Sequence, residues 1–453
     1  MATRRAVLRA GALAPLLSAC APGVFGNDPG VLRIAVPWDG AGLTAFQAVL
    51  ERIRSPGADA SAYPYPVDVL PLGDDVDTAL NIAGRDAPDI VMLPEAGRVR
   101  ELAGTGLRAV GDSLWTAAGP PLYGPPWREL LWHRTIDGDA ESLYGVPFKA
   151  ANKSLVWYDR EAFGDGDAPR SWALSDWPDR IGSFARGERR LLALGAADGW
   201  VLADMFANVL RTVAPADYEE LTELPADARG ANVPAPHRNW DRPGVRAAFT
   251  VLGQVWGHPD AFPGRVAETL RRQFSDAIRD VFLYRSAAMV VAPDFAEPVV
   301  RQSLRRTGRS TGTVGVMPFP AFGRGYRPPR IGGGDVMVIT TKAGERAEAL
   351  VAALAAKEAP QPWMARYGGF VAPRRDTTKP ASYQGIFKDV AGELNAWEVF
   401  GFADLLGPLG RRNGLWRILT NFLVDVGYRS PGRIGAATDA AIAGLAAAES
   451  GVR

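Results

Sequence analysis

The sequence predicts an α/β protein, with a mostly parallel sheet covered by helices on both faces and more than one core. Three observations carry this. Short aliphatic runs bounded by Pro, Gly or Asp alternate with segments whose apolar residues recur every three to four positions. The chain has 453 residues, 47% hydrophobic and 22% charged, which suits roughly two to three domains' worth of buried surface. It contains one cysteine, so no internal disulfide can form and stability must come from packing.

The elements follow in order. "VLRIAVP" (31–37) reads as a buried strand, and "AGLTAFQAVLERI" as a helix with Leu43, Phe46, Val49, Leu50 and Ile53 on one face. "YPVDVLPL" (65–72) and "PDIVMLP" (88–94) are strands flanking a helix near "DVDTALNIAG", and "GRVRELAGTGL" is a helix closed by glycine. This β-α-β-α-β opening is what demands a parallel sheet. "SLVWY" (154–158), "RRLLALGA" (189–196), "AAMVVA" (287–292), "TVGVMPFP" (313–320) and "VMVIT" (336–340) continue the strand series. Helices lie between them, including "WVLADMFANVLRTV", "PGVRAAFTVLGQVWG" and "GERAEALVAALAAK", the last with a stripe at Ala347, Leu350, Val351 and Leu354. From about Tyr383 the chain reads as helical with Gly and Pro breaks.

The N-terminal stretch predicts export. Arg4, Arg5 and Arg9 precede an apolar run to Ala19 that is too short to span a bilayer. Leu17-Ser18-Ala19-Cys20 reads as a bacterial lipobox, with residues 1–19 a signal peptide and Cys20 lipidated at the start of a Pro/Gly-rich tether, 20–30. An ordinary signal peptide with a chance cysteine is the alternative. Thr3, Arg4, Arg5 and Leu8 also fit a twin-arginine signal. No later apolar run approaches the ~18 residues of a membrane span, and the net charge of +1 disfavours nucleic acid as a partner.

Five stretches, in order, resemble the family 1 extracellular solute-binding proteins of ABC importers. They are "APDIVMLPEAGRVRELAGTGLRAVGD", "LYGVPFKAANKSLVWYDREAFGDGDAPRSW", "LYRSAAMVVAPDF", "VGVMPFPAFG" with the following "IGGGDVMVITTKAGERAEALVAAL", and "NGLWRILTNFLVDVGYRSPGRIGAATDAAI". The resemblance spans roughly residues 31–445. It implies a two-lobed fold of the type II periplasmic-binding-protein kind, with discontinuous lobes joined by a hinge and a ligand in the cleft. On this reading lobe 1 is 31–147 with about 278–325 returning to it, and lobe 2 is 148–277 with about 326–453. The implied partners are a small polar solute, foremost a carbohydrate, the permease subunits, and the membrane through the lipid. No cofactor or metal is implied, and a monomer is expected.

Ligands of such α/β lobes sit at the carboxyl ends of strands, so the loops there supply candidates. Trp38 and Asp39 pair an aromatic face with a carboxylate, which is how sugars are held; equally, Trp38 suits a core and Asp39 a helix cap. Glu95 follows the third strand. Lys149 and Asn152 lie at the expected hinge, where they could bind solute or brace the backbone. Asp198 and Trp200 open a helix, Trp200 at an aromatic position of the family. Asp294 and Phe295 follow the "AAMVV" strand. Gly333, Gly334 and Asp335 belong to a glycine loop whose backbone amides could approach a ligand, or that simply forms a tight turn. Trp416 matches the family's aromatic residue on a C-terminal helix.

Enzyme readings compete. Gly40 to Ala45, "GAGLTA", fits a dinucleotide fingerprint, which raises an NAD(P)-dependent dehydrogenase. Its required acidic residue at the second strand's end is missing, since Asp74 and Asp75 lie beyond a Pro and a Gly. No nucleophile elbow or metal-ligand spacing occurs, and His133, His237 and His258 lack partner motifs. A glycosidase would need two convergent carboxylates. A ligand-sensing lipoprotein is the remaining alternative to an importer component.

Overall fold

A computed structural model describes residues 31–54, 62–82, 84–94, 96–116, 121–134, 140–223, 237–377, 386, 398–429 and 433–452. The predicted signal peptide, the tether, Cys20 and Glu95 lie outside the described residues.

Two sheets organise the chain. In the first, β1 (Leu32–Val36) runs parallel to β2 (Val67–Pro71) and to β3 (Ile90–Leu93), with Leu32 opposite Val67 and Ile34 opposite Ile90. The short strand β4 (Leu107–Arg108) joins its edge. A two-stranded ribbon, β5 (Trp132–His133) with β6 (Ser142–Leu143), stands apart. β7 (Val146–Asn152) then leads almost directly into β8 (Leu155–Asp159), the central strand of the second sheet. That sheet is completed by β9 (Arg190–Ala193), β10 (Ala287–Val291) and β11 (Val314–Pro318), in the order β11-β8-β10-β9. Finally β12 (Ile331–Thr340) returns to the first sheet, antiparallel to β3 and β7, and β13 (Val399–Phe400) adds to its beginning.

Every residue of β3 and β8 is buried, which explains why both are apolar up to Asp159 at the end of β8: helices cover the sheets. On the first sheet the helix Gly40–Arg54 buries Phe46, Val49, Leu50 and Ile53, as its periodicity predicts. The helix Glu345–Ala355 buries Ala347, Leu350, Val351 and Leu354. The second sheet packs one face on helices Phe274–Phe282 and Glu297–Thr307. Its other face meets Gly199–Val213, Pro243–Trp256, Leu415–Val424 and Ile434–Val452.

Sheet membership differs from the sequence-derived lobe boundaries. β10 and β11, from the segment 278–325 assigned to lobe 1, hydrogen-bond to β8 in the second sheet, with Met289 opposite Tyr158 and Gly315 opposite Tyr158 on its other side. β12 and the helix after it, assigned to lobe 2, belong to the first sheet. "AAMVV" and "VMVIT" are equally apolar, so composition carries no instruction about which sheet either joins. A second difference concerns "IGGGD", which reads as a loop yet forms the first half of β12. Gly334 has φ +146°, and a Cβ there would lie 2.0 Å from the Lys149 carbonyl oxygen of β7. The glycines thus let two crossover strands approach more closely than side chains permit.

Candidate functional site

Between the sheets lies a cavity of about 210 Å³. The first half supplies Pro37 and Trp38 from the end of β1, Asp74, and Pro94 after β3. The crossovers supply Lys149, Ala150, Ala151, Lys153, Gly334 and Asp335. The second half supplies Trp200 and Asp204 from the helix Gly199–Val213, with Phe295, Ala403, Asp404 and Trp416.

Aromatic rings form two walls. Trp38 is wedged against Trp363, Phe46 and Phe148, with ring centroids 5.0, 5.1 and 5.6 Å away, and its side chain favours the ionised form of Asp335. Trp200 rests on Phe274 at 4.9 Å and Phe295 at 5.9 Å. Trp416 crosses the start of the same helix so closely that a Cβ on Gly199 would lie 2.6 Å from its own Cβ. Its buried indole Nε1 has no hydrogen-bond partner among the described residues.

Charged groups line the floor. Lys153 Nζ lies 2.9 Å from Asp404 Oδ2 and 3.4 Å from Asp204 Oδ1. Lys149 Nζ sits 5.1 Å from the Phe295 ring centroid and 5.5 Å from that of Trp363, a cation–π arrangement on two faces. Burial pushes the carboxyls of Asp204 and Asp335 up to about 6 and that of Asp294 up to about 7. Lys153 opposes the rise at Asp204, and Lys149 opposes it at Asp294 and Asp335. Asp404 is raised by burial as well, against the pull of Lys153.

The predicted residues therefore divide. Trp38, Lys149, Trp200, Phe295, Gly334, Asp335 and Trp416 meet at one cavity. Asp39 is exposed and outside the lining; its carbonyl, not its carboxylate, accepts from Leu43 N to start the helix. Asn152 and Asp294 lie behind the cavity: Asn152 N donates to Asp294 Oδ2 at 3.2 Å, and Asn152 Oδ1 accepts from Ser154 N at 2.9 Å. Both brace the crossover, which Ser154 Oγ extends by donating to Asn208 and accepting from Ile331 N. Asp198 Oδ2 accepts from Phe274 N at 2.6 Å and so fixes the ring beneath Trp200. At Gly333 a Cβ would lie 2.6 Å from Lys153 Cε, so this glycine makes room for the lysine.

Sequence reasoning missed Lys153, Asp204, Asp404 and Asp74. Lys153 directly follows Asn152 in the sequence, so its position at the crossover is legible there. Asp204 interrupts an otherwise apolar helix, and Asp280, Asp294 and Asp335 show the same pattern of a carboxylate inside a buried run.

At one side of the cavity the two halves touch through ions. Arg411, beside the second core, pairs with Asp77 of the first half, which Arg98 also approaches at 3.5 Å. Arg412 reaches Asp75 at 3.3 Å. Burial lowers the Arg411 guanidinium to about 10.

No protein-family profile matches the sequence. An osmoprotective-compounds-binding protein of Synechocystis sp. is 26% identical over 85% of this chain and 87% of its own length. An α-glucosides-binding periplasmic protein of Rhizobium meliloti is 29% identical over 41% of each. Among solved structures, a bacterial solute receptor described as exclusive for β-D-galactopyranose aligns with a TM-score of 0.69 at 16% identity, over 94% of this chain and all of that one, 100%. The maltose-bound MalE3 of T. maritima aligns with 0.65 at 18% identity, over 93% and 100%. The chain shares the two-lobed α/β fold of these extracellular solute receptors.

The relatives are described as binding proteins, and the structure gives the residues of the dinucleotide-fingerprint reading, Gly40–Ala45, a packing role. They open the first helix, with Gly40 at φ +44°. Gly42 fits under the Trp38 side chain, where a Cβ would stand 3.0 Å from that of Trp38.

Proposed function

We propose that this binding protein captures a carbohydrate between its two halves and delivers it to the permease of an ABC importer. One observation carries the reading: Trp38 from one half and Trp200, Phe295 and Trp416 from the other share a cavity with Asp204, Asp335 and Asp404. Flat apolar faces suit the C–H surfaces of a sugar ring, and carboxylates accept from its hydroxyls. The relatives' described ligands, α-glucosides and galactopyranose, support the same class. Solute bridging both walls stabilises the closed arrangement of the halves, which is the form a permease would read. The protein acts as a monomer, moored by a lipid on Cys20 that raises its concentration near the permease.

A thermal-shift screen of the purified protein against sugars, polyols, amines and oligopeptides tests this. A sugar at 100-fold its dissociation constant stabilises by ~2.7 kcal/mol; a melting point moved only by oligopeptides or amines would overturn the carbohydrate reading. For the anchor, the protein made in a bacterial host partitions into detergent, and Cys20→Ala shifts it to the aqueous phase. Equal partitioning of the two would remove the lipid.

A further inference from the structure

Resting on the carbohydrate reading, a second question is which carbohydrates the charges in the cavity admit. Its lining carries the carboxylates of Asp74, Asp204, Asp335 and Asp404 against the ammonium groups of Lys149 and Lys153. Both lysines are already engaged. Lys153 bridges Asp404 and Asp204, and Lys149 lies between two ring faces with Asp294 and Asp335 as its charge partners. At neutral pH Asp204 and Asp335, with carboxyls near 6, stay largely ionised. Among the described lining residues the carboxylates outnumber the ammonium groups, and only Asp74 has a further cation, Arg412, acting on it from outside the lining.

One buried acceptor of the lining is unmatched among the described residues. Asp204 is 7% exposed and lines the cavity, and its Oδ2 is buried with no hydrogen-bond partner among the described residues. A buried, unmatched carboxylate oxygen is costly unless a donor meets it. A solute hydroxyl or ammonium supplies that donor; a phosphate or carboxylate brings another acceptor.

We infer that the cleft selects hydroxyl-rich solutes bearing no negative charge, with Asp204 Oδ2 accepting a hydrogen bond from the bound solute. One uncompensated carboxylate at about 6 Å, in an effective dielectric near 20, disfavours an anionic group by about 100-fold.

Matched pairs test this by titration calorimetry: trehalose with trehalose 6-phosphate, sucrose with sucrose 6-phosphate, and maltose with maltobionate. The expected result is that whichever neutral sugar binds does so at least about 30-fold tighter than its anionic partner. Asp204→Asn weakens the neutral member about tenfold or more, as loss of a charged acceptor does, and narrows the gap. Asp74→Lys, an exposed substitution that spares the buried cluster, raises the affinity for the anionic member at least fivefold. An anionic partner binding within threefold of its neutral parent overturns the inference, as does a folded Asp204→Asn protein with unchanged affinity. So does an Asp74→Lys protein that leaves the neutral-to-anionic ratio unmoved. If no neutral sugar binds while another solute class does, the carbohydrate reading fails first, and this one with it.

Discussion

Replacing Lys153 by methionine probes the charge balance of the cavity most directly. The lysine side chain is 14% exposed, and its partners Asp404 and Asp204 are 6% and 9% exposed. Methionine keeps the stem that Gly333 accommodates, so the change removes charge more than volume. Breaking a buried pair by deleting one partner costs about 3–5 kcal/mol, because the remaining charge is left without compensation; here two carboxylates are left. Both carboxyls already stand above the ordinary carboxylate range with the lysine present, and its loss raises them further. A carboxyl raised on folding contributes stability that is present below the unfolded value of ~3.9 and is lost as pH climbs through the folded value. The deficit of Lys153→Met is therefore largest at pH 8 and shrinks to about 1–2 kcal/mol by pH 5, where protons replace the missing cation. Melts of both proteins at pH 5, 6.5 and 8 measure it. A deficit below about 1 kcal/mol at pH 8, or one that is the same at pH 5, would refute the argument that burial and Lys153 together set these carboxyls.

Further predictions rest on single contacts. Trp200→Ala removes one wall; if a sugar covers about 100 Å² of the indole, at ~25 cal/mol/Å² the loss is about 2.5 kcal/mol, or roughly 70-fold in Kd, and a calorimetric change under threefold takes Trp200 out of the site. Gly334→Ala puts a Cβ 2.0 Å from the Lys149 carbonyl oxygen at φ +146°, so a loss of at least about 2 kcal/mol is expected in denaturant titration; wild-type stability would mean the crossover strands can separate freely. Asp294, raised by burial to about 7, makes the wild type less stable at pH 8 than at pH 5. Asp294→Asn, which keeps an acceptor for Asn152 N, should raise the melting point at pH 8 and leave it nearly unchanged at pH 5. Arg411→Gln cuts the ionic contact with Asp77, so the radius of gyration from small-angle scattering should increase without solute and fall again on adding it; identical radii would show that this contact does not hold the halves together.

Local chemistry was legible in the sequence wherever it depends on near neighbours. The period of the helix Gly40–Arg54, the apolar runs that form β3 and most of β8, and the aromatic residues Trp38, Trp200, Phe295 and Trp416 could all be read off. Burial of a stripe, and an aromatic at the end of a strand, are properties of short windows. The tertiary structure alone decided what joins residues far apart: β10 and β11 going to the second sheet, "IGGGD" becoming a strand against β7, and Lys153 meeting Asp404 across 251 positions. Apolar strands of similar composition can pair in either sheet, and a carboxylate such as Asp204 looks the same in sequence whether it faces water or a buried ammonium. Only the folded distances give these charges their partners, and with them the character of the cavity.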